Sequence, residues 1–283
     1  MESKDNFKTI QIQGVDFTYN EDIHYEKDGH IYCRKCDTQI DGRVFEIMEN
    51  KKMICRNTCK CEVEERKKQE QRLRNQEIET LKSKCFIEKS QWYYTFENSD
   101  DEVDQELISK MKKYVDKFDN LKNKNTGLII YGGVGAGKIY LTCSIVNAII
   151  EKYMCECKMM NFSQILNELQ KSGFNLDRND YINNLTNKVL LVIDDFGIER
   201  DTEYALEQVY NIINARYQKQ KPIIITTNLD YVDLNKEQDK LMLTRIYSRI
   251  LEMGVPLKVD GKDRRKEKSK LKIEQAKKEL GID

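Results

Sequence analysis

The chain has only two prolines among its 283 residues, Pro222 and Pro256, and both sit beside apolar runs. It also has no net charge, because 48 Lys and Arg balance 48 Asp and Glu. A global field near zero excludes attraction of nucleic acid by the molecule as a whole, so any such contact has to come from a local patch. No apolar run reaches the roughly 18–20 residues that cross a bilayer. The N-terminal Met1-Glu2-Ser3-Lys4-Asp5-Asn6 lacks the apolar core of a signal peptide. There is no internal repeat. These absences predict a cytoplasmic protein without a membrane partner. What is present is a globular composition, 39% hydrophobic and 34% charged, in a chain long enough for one sizeable domain and a smaller module.

Nine cysteines in a chain without an export signal point to reduced thiols or metal rather than disulfides. Five of them fall in residues 1–62, together with both histidines and short alternating segments. Cys33-Arg34-Lys35-Cys36 is a C-x-x-C, and Cys59-Lys60-Cys61 follows after 22 residues. Tetrahedral Zn²⁺ accepts four thiolates, and C-x-x-C puts two of them on one tight turn. Cys33, Cys36, Cys59 and Cys61 are therefore the expected zinc ligands. Cys55 is an alternative to Cys59, His24 and His30 are further candidates, and free thiols or iron are the competing readings. A segment this poor in large apolar side chains would draw much of its stability from the metal. Cys85, Cys143, Cys155 and Cys157 carry no ligand spacing and read as core or incidental.

Residues 63–84 are dense in Glu, Gln, Arg and Lys, with apolar side chains only at Val63, Leu73, Ile78 and Leu81. That predicts an exposed connecting helix, without the sustained heptads of a coiled coil. The expected organisation is a cysteine-rich module over 1–62, a helical linker over 63–97 and an α/β domain over 98–283. In the last part, Ser99-Asp100-Asp101 is a candidate cap for a helix with the stripe Val103, Leu107, Met111, Val115 and Phe118. Apolar runs at 128–131, 158–162, 189–193 and 222–227 read as strands and alternate with helical patterns. The expected fold is a P-loop parallel sheet with helices on both faces.

The first of these strands enters Gly132, Gly133, Val134, Gly135, Ala136, Gly137 and Lys138, which fit G-x-x-x-x-G-K-[ST] up to the last position. Such glycines let backbone N–H groups turn around a phosphate chain, Lys138 reaches the outer phosphates, and the following helix adds the positive end of its dipole. Ile139 then stands where a hydroxyl would hold Mg²⁺. Strand 189–193 ends in Asp194-Asp195, 56 residues after Lys138. There Asp194 would hold Mg²⁺ through water, and Asp195 would orient or deprotonate the attacking water. Thr226-Thr227-Asn228 ends the next strand, where the amide either positions that water or caps the strand. Arg245 and Arg249 lie four apart on one face of a helix. Either is a candidate arginine finger toward a neighbour's nucleotide, or part of a solvated face.

In this order the pieces resemble the DnaC/DnaI family of replicative helicase loaders, IstB-like members of the AAA+ ATPases. The resemblance runs from about residue 95 to 265. It includes Ile193-Asp194-Asp195-Phe196-Gly197, Asn214-Ala215-Arg216-Tyr217, Thr226-Thr227-Asn228-Leu229, Arg245-Ile246-Tyr247-Ser248-Arg249, Val255-Pro256-Leu257-Lys258-Val259 and Gly261-Lys262-Asp263-Arg264-Arg265. It implies ATP, Mg²⁺ and Zn²⁺ as cofactors, Asn228 as sensor 1, Arg249 as the trans-acting finger of a homo-oligomer and Arg264 or Arg265 in the sensor 2 region. It further implies an N-terminal domain that grips the replicative DNA helicase, and activity on single-stranded DNA.

Ile139 departs from the family's Thr or Ser; ATP would still bind, with Mg²⁺ affinity and turnover lowered. Residues 262–278 hold nine Lys or Arg against three acids, a possible path for a phosphate backbone or simply a solvated face. Tyr140 and Phe162 are aromatic candidates for base stacking, with core packing the simpler reading. Two competing functions remain: an IstB-type transposition helper ATPase, which usually lacks a zinc module, and a nucleotide-gated adaptor with little hydrolysis.

Overall fold

The computed structural model describes residues 6–47, 51–99, 104–171, 177–197, 203–236, 240–261 and 263–282. The chain divides between Gln76 and Glu77 into two compact units.

Among the described residues, the N-terminal unit contains antiparallel hairpins. They pair β1 (Phe7–Ile12) with β2 (Val15–Asn20), β3 (His24–Lys27) with β4 (His30–Cys33), and β5 (Asp41–Ile47) with β6 (Lys51–Arg56). The first two close through two-residue turns, Gln13-Gly14 and Asp28-Gly29, with positive φ at both positions, the turn form that matches strand twist. Alternation supplies a small core of Ile12, Phe17, Tyr19, Ile31, Cys33, Ile40 and Cys59. Asp41 is buried beside it and accepts from the Ile31 N–H (2.6 Å), with His30 Nδ1 2.7 Å from its other oxygen. Burial alone would raise this carboxyl; the hydrogen bonds from His30, Ile31 and Gln39 outweigh it and hold the group below its ordinary value.

Helix α1 (Lys60–Cys85) is exposed along most of its length and buries Leu81, Lys82 and Cys85 near its end. In the second unit, the expected cap at residues 99–101 is not the one observed. Helix α2 (Gln105–Asp116) begins at Asp104, whose side chain accepts from the Glu106 N–H at 2.8 Å. Asp100, Asp101 and Val103 lie outside the described residues. The apolar stripe is also split, because α2 stops at Lys117 and Phe118 opens the short helix α3 (Phe118–Asn123).

The sheet that follows has five parallel strands in the order β11-β7-β10-β9-β8. In chain order its elements are β7 (Gly127–Tyr131), α4 (Lys138–Tyr153), β8 (Cys157–Asn161), α5 (Phe162–Lys171), α6 (Asp177–Asn187) and β9 (Leu190–Phe196). They continue with α7 (Glu203–Gln218), β10 (Ile223–Thr227), α8 (Tyr231–Leu234), α9 (Leu241–Met253), β11 (Gly254–Lys258) and α10 (Arg264–Leu280). Pro222 immediately precedes β10, and Pro256 lies in edge strand β11, positions that a residue without an N–H tolerates.

Alternate residues of the central strands feed two cores. Leu128, Ile130, Leu190, Val192 and Ile224 pack with α2 and α4, while Ile129, Leu191, Ile193, Ile223 and Ile225 pack with α5, α7 and α9. Cys85, Cys143 and Cys157 are buried in the first core and Phe162 in the second. Tyr140, half-buried, stacks on Tyr94 and donates its hydroxyl to the Thr95 carbonyl at 2.9 Å.

One fully buried cation ties α7 to the sheet. Arg216 donates to the carbonyls of Thr186 (3.1 Å), Lys188 (2.6 Å), Val189 (3.4 Å) and Pro222. Its burial pulls the guanidinium pKa down to about 9. Lys219 and Lys221 also bind polar atoms at the α6 terminus, through Thr186 Oγ1 (2.8 Å) and the Asn187 carbonyl (2.5 Å). Three cations at the negative end of a helix dipole give the seam its electrostatic logic.

Candidate functional site

The glycine loop leaves β7 at Gly132 and opens into α4, with Gly137 at its N-cap and Lys138 as its first residue. Residues 259–261 and Asp263 lie beside the loop as a strap. The Val259 N–H donates to the Tyr131 carbonyl at 2.8 Å. A Cβ on Gly132 would come within 2.1 Å of the Val259 carbonyl oxygen, and one on Gly135 within 2.0 Å of Asp263 Oδ1. Both glycines also have positive φ, 148° and 76°, so the strap and the backbone together leave no room for a side chain. The open part of the cradle faces away from that strap: nothing lies within 4 Å of a Cβ built on Gly133, and Val134 is exposed.

Lys138 Nζ donates to the carbonyls of Gly132 and Gly133 (both 2.8 Å) and to Asn228 Oδ1 (2.6 Å). Asn228 in turn donates its amide to Asp195 Oδ1 at 2.8 Å. The structure thus joins the loop lysine, the amide after β10 and one carboxylate of β9. A buried ammonium beside a glycine cradle at a helix N-terminus fits a phosphate chain. Ile139 offers no oxygen; its side chain is half-buried and packs against the core under α4. The donor set toward a metal is therefore short by one hydroxyl.

The carboxylates do not follow β9, as the apolar run suggests; they lie within it. The register jumps from Ile225 opposite Ile193 to Thr227 opposite Phe196, so Thr226 alone faces both Asp194 and Asp195. Such a bulge re-aims side chains. Asp195 has φ 55°, in the left-handed region, and is exposed, while Asp194 is partly buried. Burial raises the Asp194 pKa; the Thr226 hydroxyl opposes this, the Asp195 charge adds to it, and Lys138 lowers it.

Arg249 lies on α9 with its guanidinium over the rings of Tyr210 (4.7 Å) and Tyr217 (5.7 Å) of α7. Tyr217 donates its hydroxyl to Glu252 at 2.8 Å, and among the described residues Arg249 Nη1 is buried without a hydrogen-bond partner. Arg245 is exposed on the same helix. The side chains of Arg264 and Arg265, at the start of α10, lie outside the described residues. Nothing in the periodicity singled out Thr226, Tyr210 or Tyr217; only a strand register and a helix pairing reveal them.

In the N-terminal unit the Sγ atoms of Cys33, Cys36, Cys59 and Cys61 lie within 4.8 Å of one another. Cys33 ends β4, and Cys36 sits on the turn after it. Cys59 precedes α1 and caps it in a capping box: its sulfur accepts the Glu62 N–H (3.4 Å), and Glu62 accepts the Cys59 N–H (2.9 Å). The separations Cys33–Cys61 (3.4 Å) and Cys59–Cys61 (3.0 Å) approach the edge of about 3.8 Å expected for four sulfurs around zinc. The Thr38 hydroxyl, 3.3 Å away, helps draw the Cys36 thiol down to about 5. The donor set fits a tetrathiolate metal. Cys55 is exposed on β6 outside the group, and neither His24 nor His30 belongs to it.

A parallel five-stranded sheet carrying a glycine loop, adjacent strand acids and a polar amide just after the neighbouring strand defines an AAA+ protein built to bind a nucleotide. The chain belongs to the family of IstB-like ATP binding proteins, whose model matches residues 49–272, and within it is DnaC/DnaI-like. It is 23% identical to the replicative helicase loader DnaI of Bacillus subtilis (strain 168) over 281 residues, covering 93% of this chain and 87% of DnaI. It is 26% identical to the replicative helicase loader DnaC of Escherichia coli (strain K12) over 161 residues, covering 55% of this chain and 62% of DnaC. The crystal structure of DnaI superposes with a TM-score of 0.53 at 22% identity, over 64% of this chain and 95% of that one. Among the described residues no helix is long and apolar enough to cross a membrane.

Proposed function

We propose that this protein is an ATP-dependent loader that delivers a replicative DNA helicase onto single-stranded DNA. The observation that carries this reading is the extent of the similarity to DnaI: it covers nearly the whole chain, the thiol unit included, where the similarity to DnaC covers about half. Residues 1–62 would grip the helicase, 63–97 link, and 98–283 switch with nucleotide. The loop amides of 132–137 and Lys138 would hold ATP, Asp194 would hold Mg²⁺ through water, and Cys33, Cys36, Cys59 and Cys61 would hold zinc. Bound ATP supplies a phosphoryl group for transfer to water. Asp195 would orient that water and Asn228 would report on the outer phosphate. Arg249 would act on the site of an adjacent copy, with Arg264 or Arg265 in the sensor 2 region. The basic composition of α10 would offer a path for a phosphate backbone.

The test is retention of the purified replicative helicase of the host by the immobilised full-length chain, with and without ATP. Retention strengthened by ATP, together with transfer of the helicase to circular single-stranded DNA, is the expected result. Failure to retain the helicase under either condition overturns the reading. Ile139 favours a second reading, a nucleotide-gated adaptor with little hydrolysis; ATP turnover measured with helicase and DNA present separates the two. The N-terminal thiol unit weighs against an IstB-type transposition helper.

A further inference from the structure

The bulge in β9 raises a question of hydrogen-bond accounting. When two residues oppose one, the extra residue loses its regular ladder partner, and its backbone N–H needs another acceptor. Here the Asp195 N–H donates to Thr226 Oγ1 at 2.9 Å. The hydroxyl proton of Thr226 goes in turn to Asp194 Oδ1. One side chain, 1% exposed, therefore accepts from the backbone of one acid and donates to the carboxylate of the other. Its neighbour Thr227 closes the far side of the same irregularity, donating its hydroxyl to the Phe196 carbonyl at 2.7 Å rather than to an acid.

We propose that Thr226 is a positioning residue that fixes Asp194 and Asp195 for their separate tasks. By holding the Asp195 N–H, it stabilises the left-handed backbone at φ 55° that turns the Asp195 carboxylate to Asn228. By donating to Asp194, it fixes the rotamer of that carboxylate. A Ser or Thr after Lys138 would have been a direct oxygen ligand on the metal side. With Ile139 in that place, the aim of Asp194 matters more, and Thr226 is the hydroxyl that sets it. The inference rests on the reading of Asp194 as the metal-holding acid.

The experiment uses the full-length chain and a fluorescent ATP analogue, titrated first in EDTA and then with increasing Mg²⁺. Thr226→Val keeps the shape and removes the hydroxyl; Thr226→Ser keeps the hydroxyl. The expected result is that T226V binds the analogue in EDTA as wild type does, yet needs about ten-fold more Mg²⁺ for half-maximal enhancement of binding, the size of one hydrogen bond to a charged group. T226S should restore the Mg²⁺ requirement to within about two-fold, and Thr227→Val should leave it unchanged. If T226V weakens binding equally with and without Mg²⁺, or if T227V has the same effect as T226V, Thr226 is merely structural and the proposal is overturned. Should T226V not fold, a wild-type Mg²⁺ requirement in Thr226→Ala overturns it equally. Asp194→Asn separates the two levels. An unchanged Mg²⁺ response in D194N removes the reading of Asp194, whereas a lost response in D194N beside a normal one in T226V removes only the role of Thr226.

Discussion

The two units of this chain solve the same stability problem by different means. The second encloses a parallel sheet between two apolar layers, so its fold rests on buried Leu, Ile and Val. Among the described residues, the first has seven buried apolar side chains at its centre, and two of them, Cys33 and Cys59, belong to the thiol group. Hydrophobic burial is plentiful in one unit and scarce in the other. The difference shows where each can carry unusual chemistry. A deep core lets the nucleotide unit support a left-handed aspartate and a strand bulge at its site. The hairpin unit has no such reserve, and a metal on its four grouped cysteines would supply one.

Metal removal is the strongest way to break this comparison. Structural zinc contributes on the order of 10–16 kcal/mol to small domains at neutral pH. Treating the full-length chain with a zinc chelator should abolish amide-exchange protection in the hairpins of residues 6–56, leaving that of 127–258 unchanged. Protection that survives chelation throughout would place the first unit beside the second as a hydrophobically held fold.

The second unit has its own point of failure, and it is polar. Arg216 satisfies four carbonyl groups at the seam of α6, α7 and the sheet. Arg216→Leu leaves those acceptors buried without donors and should cost about 3–5 kcal/mol. Urea unfolding followed by a probe in the nucleotide unit measures this loss, and the chelator response of the hairpins should not move. A loss below about 1 kcal/mol would mean that the carbonyls find other partners.

Much of this layout was legible in the sequence because it follows from periodicity and composition. The strands at 128–131 and 222–227, the exposed helix after residue 60 and the C-x-x-C with C-x-C grouping all follow from local pattern. Other features depend on tertiary pairing. Helix α2 takes its cap at Asp104, whereas Asp100 and Asp101 of the expected cap lie outside the described residues. Asp194 and Asp195 read as the end of a strand, whereas pairing with β10 carries the strand through them to Phe196. Arg216 reads as part of a family motif on a helix; its burial follows from the carbonyls of Thr186, Lys188 and Val189, distant in sequence, together with that of nearby Pro222. Thr226, Tyr210 and Tyr217 are ordinary strand and helix residues until the register brings a charge against each of them.

The smallest expected effect concerns the place where the nucleotide unit departs from its own family. Ile139 is half-buried against the apolar layer under α4, so Ile139→Thr removes packing and should destabilise that unit by roughly 1 kcal/mol. The same change adds an oxygen at the first turn of α4, beside Lys138, where the metal side of the site lacks one. Turnover should therefore rise by about three- to ten-fold while the melting temperature falls slightly, a rate gain equivalent to roughly 1 kcal/mol in the barrier. The two effects have opposite signs, so a nonspecific loosening cannot imitate the result. Steady-state ATP hydrolysis by I139T against wild type, at saturating Mg²⁺ and again at limiting Mg²⁺, gives the measurement. The advantage of the variant should be larger at limiting Mg²⁺. Equal rates at both concentrations would mean that the apolar residue costs the site nothing and that Asp194, held by Thr226, supplies the metal side unaided.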